Sequence, residues 1–315
     1  MSRLFFVSHR TRAPNLFSTE TQTGKLRQLT DRDDLNEWSA VPSRDGKWLY
    51  FTARNQVLRL NIDSLDEETV DCFQEFQAGN CSLSADGSYL AVPVRREGVS
   101  AITRADQGQS RLVVIRTKDG DAQPILERDV VGHVQFCPDD PQLILYSGPP
   151  TERLWVIKRD GSENRHLYEQ APNEWVTHET WLPRTKEVLF VRWPEALEAV
   201  SLNGEKVRTV ASFNVWHPSC SRNGSYIVCD TNHPDIGLQL IDPETGRHQA
   251  LCYPEASSVG EHWKGPFPYA KDLPKPKIYA PQWTHPHPSF SPNGKQVVYT
   301  SDRSGYSQVY VVNIA

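Results

Sequence analysis

The fold is decided by the stretch Ser43-Arg-Asp-Gly46-Lys-Trp-Leu-Tyr-Phe-Thr52, in which a polar turn leads directly into an apolar run. The same turn, Ser-x-Asp/Asn-Gly, returns at residues 84–87, 221–224 and 291–294, each time before a strand-like run. Degenerate copies occupy residues 138–141 and 183–186. Gly46 and Gly87 lie about 40 residues apart, which fits the ~40 to 50 residue period of four-stranded propeller blades.

A second strand with alternating apolar residues follows each turn. These second strands are predicted at residues 56–62, 111–116, 153–158, 237–241 and 308–313. Near the N-terminus, residues 4–8, 15–19 and 26–30 resemble the outer part of one more blade. The sequence therefore predicts an all-β fold, a β-propeller with seven blades favoured, of which six are clear and one is partial and N-terminal.

The domain prediction is one β-propeller over residues 1–315, interrupted by a Pro-rich, aromatic insertion at about residues 255–281. The insertion lies in the wide interval between the turns at Gly224 and Gly294. Insertions of this kind usually sit on a binding face, because loops carry function on a fixed scaffold.

Charge and composition exclude several classes of partner. The formal net charge is −5, the pI is about 6.1, and acids and bases are interleaved, so no basic patch for nucleic acid is expected. No apolar run approaches the ~18 residues of a membrane span, and the N-terminal apolar run is too short for a signal peptide. The six cysteines lack CxxC spacing, which is typical of reduced thiols. We expect a soluble, cytoplasmic protein of unspecified oligomeric state.

The strongest candidate site is the segment Gln282-Trp-Thr-His285-Pro-His287-Pro-Ser-Phe290, just before the last turn. In an extended strand, side chains two residues apart point to the same side, so His285 and His287 would present two imidazoles together, as metal ligands do. Gln282 has the wrong parity and could join them only through a turn. The alternative is a pair of surface histidines in a Pro-rich loop.

Further histidines precede the turns of the earlier blades. His217, His178 and His133 stand at the corresponding place one, two and three blades before His287. His217 could complete a site of three imidazoles and one amide oxygen, a donor set that does not by itself choose among manganese, zinc, iron and nickel. His178 and His133 could instead be structural, each bonded to a neighbouring blade's backbone.

At these residues the chain resembles the oligogalacturonate lyase family, whose members are seven-bladed propeller enzymes that use a divalent metal, usually manganese, to split unsaturated digalacturonate and short galacturonate oligomers. The resemblance covers nearly the whole chain and is carried by residues 282–290, by His217 before its turn, by Thr177-His178-Glu179, by Arg153 and by Gly132-His133. The chain departs from the family at Tyr146-Ser147, where the family has a His-Glu pair, and in its shorter N-terminal region.

The resemblance implies a role for each matching residue. His217, Gln282, His285 and His287 would bind the metal, Mn²⁺; His178 would be the catalytic base; Arg153 would be a catalytic and substrate-binding arginine; and His133 would contact substrate. The implied reaction is β-elimination of short oligogalacturonides to a 4-deoxy-5-keto uronate.

Two alternatives remain open from the sequence. One is a non-catalytic, TolB-like propeller that serves as a binding module, and the other is a lyase for a different uronide, which the insertion would favour. A serine hydrolase is disfavoured because the chain has no GxSxG nucleophile elbow.

Overall fold

A computed structural model describes residues 3–98, 109–232, 234–257 and 284–314. These residues form 27 strands in seven small antiparallel sheets, and the described part of the chain contains no helix. The predicted class, an all-β propeller of seven blades, is therefore confirmed. The predicted insertion falls almost entirely between residues 257 and 284 and so lies outside the described residues.

The strands follow the chain from blade to blade. Blade 1 contains β1 (Arg3–Ser8), β2 (Asn15–Glu20) and β3 (Leu26–Gln28), and blade 2 contains β4 (Val41–Pro42), β5 (Trp48–Ala53), β6 (Gln56–Asn61) and β7 (Glu67–Cys72). Blade 3 contains β8 (Phe76–Ala78), β9 (Ser82–Leu83), β10 (Tyr89–Arg96), β11 (Ser110–Arg116) and β12 (Ala122–Arg128). Blade 4 contains β13 (Gly132–Phe136), β14 (Leu143–Ser147), β15 (Leu154–Lys158) and β16 (Arg165–His166).

The remaining blades have the same antiparallel order. Blade 5 contains β17 (Trp175–Leu182), β18 (Glu187–Trp193), β19 (Ala196–Ser201) and β20 (Val207–Ala211). Blade 6 contains β21 (Ser219–Cys220), β22 (Ile227–Cys229), β23 (Leu238–Ile241) and β24 (His248–Cys252). Blade 7 contains β25 (Ser289–Phe290), β26 (Gln296–Ser301) and β27 (Gln308–Asn313), so blades 1 and 7 each have three described strands.

The recurring turn exists because its side chains satisfy the backbone of the next strand. Ser43 Oγ donates to Asp45 Oδ1 (2.6 Å) and accepts the Trp48 N–H (2.9 Å), while Asp45 Oδ1 also accepts the Lys47 N–H (3.1 Å). The bond from Ser43 is the main reason why the pKa of Asp45 lies below its usual value. Gly46 takes the left-handed φ of +70° that closes the turn.

Two compact units make up the chain: residues 1–149 with 157–164, and residues 150–156 with 165–315. In the first unit the apolar core lies between successive blades, with Leu49 and Phe51 packed on blade 1 residues and Tyr50 packed on blade 3 residues. In the second unit, one cluster joins Leu189 and Val191 of blade 5 to Ile227 of blade 6. That the whole chain is one domain stays a prediction.

No helix of the described residues is long and apolar enough to cross a membrane.

Candidate functional site

A β-bulge in the first strand of blade 5 positions His178. Thr177 pairs with Val191 and Thr180 pairs with Leu189, so two residues of β17 face only one residue of β18. His178 lies in this bulge with a left-handed φ of +47°. Bulges turn a side chain away from the regular alternation of a strand and are common beside active sites.

Blade 4 contains the same bulge. Gly132 pairs with Ser147 and Gln135 with Leu145, and His133 takes a φ of +44° in the extra position. The His133 side chain is exposed, and it belongs to the first compact unit. The sequence therefore located His133 and His178 at equivalent points of neighbouring blades, although their predicted roles stay predictions.

His217 and His287 stand at the corresponding points of blades 6 and 7. Trp216 N–H bonds the Asp230 carbonyl oxygen (3.0 Å) and Ser219 pairs with Val228, which brackets His217. In blade 7, Thr300 N–H bonds the Pro286 carbonyl oxygen (2.8 Å) and Ser289 pairs with Val298, which brackets His287.

The predicted extended geometry of His285 and His287 is wrong. Residues 284–288 form no strand, β25 begins only at Ser289, and His287 has a φ of +46°. A left-handed residue breaks the alternation of an extended chain, so the two side chains do not share one face by strand geometry. Gln282 lies outside the described residues.

The imidazoles nevertheless gather around His217. The ring centroid of His217 lies 4.0 Å from that of His287, 4.4 Å from that of His178 and 5.1 Å from that of His285. His217 is buried, His178 and His285 are half-buried, and His287 is exposed. The second unit therefore contains a cluster of four histidines whose members range from buried to exposed. We call it the imidazole cluster: His178, His217, His285 and His287.

Asp230 ties two members of the imidazole cluster together. Its carboxylate accepts the backbone N–H of His217 (2.7 Å) and of His287 (3.0 Å), and Oδ2 lies 2.8 Å from His217 Nδ1. Burial raises the pKa of Asp230, and the nearby His287 and these N–H donors partly oppose the rise. Sequence reasoning missed Asp230; the available signal was an acid placed directly after the buried strand β22.

Arg153 and Glu179 form a buried ion pair beside the bulge. Arg153 Nε donates to Glu179 Oε2 at 2.7 Å, and the two side chains are only 9% and 0% exposed. The backbone N–H of Arg153 also donates a hydrogen bond to Gln170 Oε1 (2.8 Å). Because Glu179 adjoins His178 in the chain, this pair fixes the backbone that carries His178. The role of Glu179 was missed because nothing in the local sequence shows its partner.

Three tryptophans form an apolar wall on one side of the cluster. Trp175 and Trp193 pair across β17 and β18, and Trp216 lies 5.2 and 5.8 Å from their ring centroids. The Trp216 ring meets that of His178 edge to face at 4.3 Å and 88°. The His178 ring thus contacts both an indole and the imidazole of His217, which restricts its rotation.

Comparison with known proteins identifies the family. A sequence model described as oligogalacturonate lyase matches residues 2–198. The chain belongs to the oligogalacturonate lyase family. It is 23% identical over 328 residues to an oligogalacturonate lyase of Dickeya dadantii (strain 3937), with 95% of this chain and 83% of that protein aligned.

Solved oligogalacturonate lyases share the fold. One, described as a complex with manganese, has a TM-score of 0.83 at 22% identity and covers 100% of this chain and 86% of its own. Another, from Vibrio parahaemolyticus, has a TM-score of 0.80 at 19% identity over 99% of this chain and 86% of its own. Membership of this lyase family makes the chain an enzyme of the lyase class, against the non-catalytic alternative.

The imidazole cluster of this oligogalacturonate lyase family member suits a divalent ion by its donor chemistry. Imidazole nitrogens are good ligands for divalent ions such as zinc, iron and nickel, and a carboxylate on the second ring nitrogen, as Asp230 is for His217, is the usual outer partner of such a ligand. Within the described ranges, no three His, Cys, Asp or Glu side chains form a ready-made metal-binding group. The residue types and the short distances between the rings fit a metal.

Proposed function

We propose that this protein is a divalent-metal-dependent lyase, with Mn²⁺ as the metal, that cleaves short oligogalacturonides such as unsaturated digalacturonate by β-elimination. The observation that carries the proposal is the imidazole cluster around His217, backed by Asp230. Further support comes from membership of the oligogalacturonate lyase family.

His217, His285, His287 and Gln282 would hold the metal. When bound, a divalent ion there would polarise the uronate carboxylate and so make the C5 proton more acidic, which is worth several kcal/mol in the transition state. Asp230 engages Nδ1 of His217 at 2.8 Å, which would leave Nε2 as the nitrogen that could bind the metal.

His178 is the proposed base. It would take the C5 proton; the C5–H electron pair then forms the C4=C5 double bond, the C4–O bond breaks, and the leaving oxygen takes a proton from solvent. A neutral imidazole suits this role near pH 7, and general-base catalysis contributes typically ~10² to 10⁴-fold. Trp216, edge to face at 4.3 Å, limits the rotation of the His178 ring and keeps water from one side.

Arg153 is the proposed contact for a substrate carboxylate. Its Nε donates to Glu179, which helps to orient the guanidinium, and a guanidinium can bind a carboxylate through charge-assisted hydrogen bonds. His133 is a proposed substrate contact because it takes the equivalent bulge position in blade 4.

The test is turnover of unsaturated digalacturonate by the purified full-length protein. The protein is treated with EDTA, dialysed and assayed with and without added MnCl₂, and loss of the dimer is followed by mass spectrometry. We expect conversion to the 4-deoxy-5-keto uronate only with metal. His248→Ala, in the outer strand of blade 6, serves as a control histidine variant that should keep full activity.

Two outcomes would contradict the proposal in different ways. Conversion that is unaffected by EDTA would remove the metal from the mechanism. No conversion of galacturonate dimers or trimers, with turnover of an unsaturated disaccharide from another uronate polymer, would assign the lyase to that uronide instead.

We also propose that the protein works in the cytoplasm. All six cysteines are free, and burial raises the pKa of Cys81 and Cys220 to about 12, so neither is poised for disulfide exchange. Cell fractionation with antibody detection tests this; recovery from a secreted fraction would refute it.

A further inference from the structure

The buried carboxylate of Asp230 connects two separate parts of the imidazole cluster. It lies directly after β22 in blade 6 and is only 1% exposed. Three nitrogen atoms reach it: the backbone N–H of His217 at 2.7 Å, the ring Nδ1 of His217 at 2.8 Å, and the backbone N–H of His287 at 3.0 Å. The contact with His287 spans 57 residues of sequence, from blade 6 to blade 7.

We propose that Asp230 is a positioning residue that sets the ring tautomer of His217 and holds the His285–His287 segment beside it. The inference rests on the proposed metal-dependent function and adds to it the residue that assembles the site. An ordinary outer partner orients one ligand, whereas Asp230 orients His217 and the backbone of His287 together.

The tautomer follows from the chemistry of the contacts. A carboxylate accepts hydrogen bonds and does not donate them, so His217 carries its proton on Nδ1 and presents Nε2 as the lone-pair donor. The two backbone N–H groups also need an acceptor. The two oxygens of one carboxylate thus accept hydrogen bonds from all three N–H groups.

Asp230→Asn is the sharpest perturbation because it keeps the size of the side chain. An amide has one acceptor oxygen and one NH₂ donor, so it cannot accept from all three N–H groups. At the Oδ1 position its NH₂ would face the backbone N–H of His217, and at the Oδ2 position it would face both the His287 N–H and His217 Nδ1, whose proton would then have to move to Nε2. Either orientation of the amide would disturb His217, His287 or both as proposed metal ligands.

The first measurement uses the wild-type protein labelled with ¹⁵N-histidine. Long-range ¹H–¹⁵N spectra before metal addition should give a His217 ring protonated on Nδ1. A ring protonated on Nε2 overturns the inference, and this outcome does not depend on whether the protein binds manganese or turns over substrate.

The second measurement compares Mn²⁺ binding, read from the EPR signal of free Mn²⁺, in the wild type, Asp230→Asn and Asp242→Asn. We expect Asp230→Asn to weaken binding ~10 to 100-fold, the usual effect of removing an outer-sphere partner. Asp242→Asn makes the same chemical change at the outer turn of the same blade and should stay within about twofold of wild type. Equal binding by wild type and Asp230→Asn overturns the inference, whereas no binding by wild type contradicts the proposed function.

Hydrogen exchange distinguishes a local effect of Asp230→Asn from poor folding of the whole variant. The His287 amide should exchange slowly in wild type and faster in the variant, while the amides of β18 keep their wild-type rates if the fold is intact. Fast His287 exchange in the wild type overturns the proposed link to blade 7. Asp230→Ser, which is smaller, provides a second variant for the same comparison.

Discussion

The ring centroids of His178 and His285 lie 4.4 Å and 5.1 Å from that of His217, yet the surroundings of the two rings differ. The His178 ring lies 4.3 Å from the Trp216 ring, and the His285 ring lies 6.4 Å from it. His178 lies in the bulge of β17, while His285 lies in a segment that forms no strand. At the scale of residues, the closer contact with the Trp216 ring fits a base held in one place at His178.

Alanine variants separate the two roles. His178→Ala should bind Mn²⁺ within about threefold of wild type and lose ~10² to 10⁴-fold in kcat, because only the base is removed. His285→Ala should lose both metal binding and turnover. Equilibrium dialysis and the lyase assay check this; loss of metal from His178→Ala with metal retained by His285→Ala would reverse the assignment.

The buried ion pair of Arg153 and Glu179 gives a stability prediction. Glu179→Gln should lower the free energy of unfolding by about 3 to 5 kcal/mol, since it leaves the Arg153 charge buried without its partner. The exposed pair Arg111 and Glu127, 35% and 53% exposed, provides the control, and Glu127→Gln should cost under ~1 kcal/mol. Urea denaturation measures both.

A double variant tests whether the pair is needed for folding at all. Arg153→Met with Glu179→Leu should recover most of the stability lost in Glu179→Gln, because buried ion pairs are often replaceable by apolar side chains. Equal losses in Glu179→Gln and Glu127→Gln would show that the pair is not buried as described.

At the scale of elements, the first strands of blades 4 and 5 share a bulge that contains a histidine. Blades 4 and 5 each open with a strand in which a histidine takes a left-handed φ, +44° at His133 and +47° at His178. Non-glycine residues rarely adopt such a φ because Cβ crowds the following carbonyl oxygen. The strain is therefore located where the side chain is proposed to act.

Comparison of His178→Gly with His178→Ala measures that strain. The glycine variant should be more stable than the alanine variant by about 0.5 to 1 kcal/mol, because glycine accepts a positive φ freely. Gln123, exposed in β12 and not in the left-handed region, gives the control pair, where glycine should be the less stable. Thermal or urea unfolding measures the stability of all four variants. If the glycine and alanine variants have the same order of stability at both sites, the backbone at His178 is not strained.

At the scale of the whole molecule, the outer turns of successive blades rest on the blade before. A Cβ built on the turn glycine would meet a backbone carbonyl oxygen of the preceding blade in each of these pairs: Gly120 with Val70 (2.7 Å), Gly161 with Ile125 (2.9 Å), Gly204 with Leu167 (3.1 Å) and Gly246 with Val210 (2.5 Å). Each pair lies within one compact unit. Glycine is needed here for close approach of backbones as well as for its φ.

Gly24 and Gly246 form a matched pair for testing this packing. Both lie in the turn before the last strand of their blade, with φ of +69° and +70°, and a Cβ on Gly24 meets nothing within 4 Å. Gly246→Ala should therefore lower the free energy of unfolding by about 1 to 3 kcal/mol more than Gly24→Ala, because only the former forces atoms together. Similar costs in the two variants, measured by urea denaturation, would mean that the blades adjust without strain.

Much of the architecture could be predicted because it depends on local pattern. The range 308–313 matches β27 (Gln308–Asn313) residue for residue, and the N-terminal ranges became the three strands of blade 1. Turn chemistry and alternation act over a few residues, so they are visible in the sequence. For the same reason the histidines before the turns of blades 4 to 7 could be recognised as equivalent.

The repeat, the preference for seven blades and the residue types of the candidate site could all be read from the amino-acid sequence. How those residues meet could be read only from the folded chain: the left-handed φ of His287, the burial of Arg153 against Glu179, and the contact of Asp230 with His287 across 57 residues. The difference lies in the range of the interactions. Periodicity and turn propensity are properties of neighbouring residues, whereas a buried carboxylate finds its donors only after separate blades have packed together.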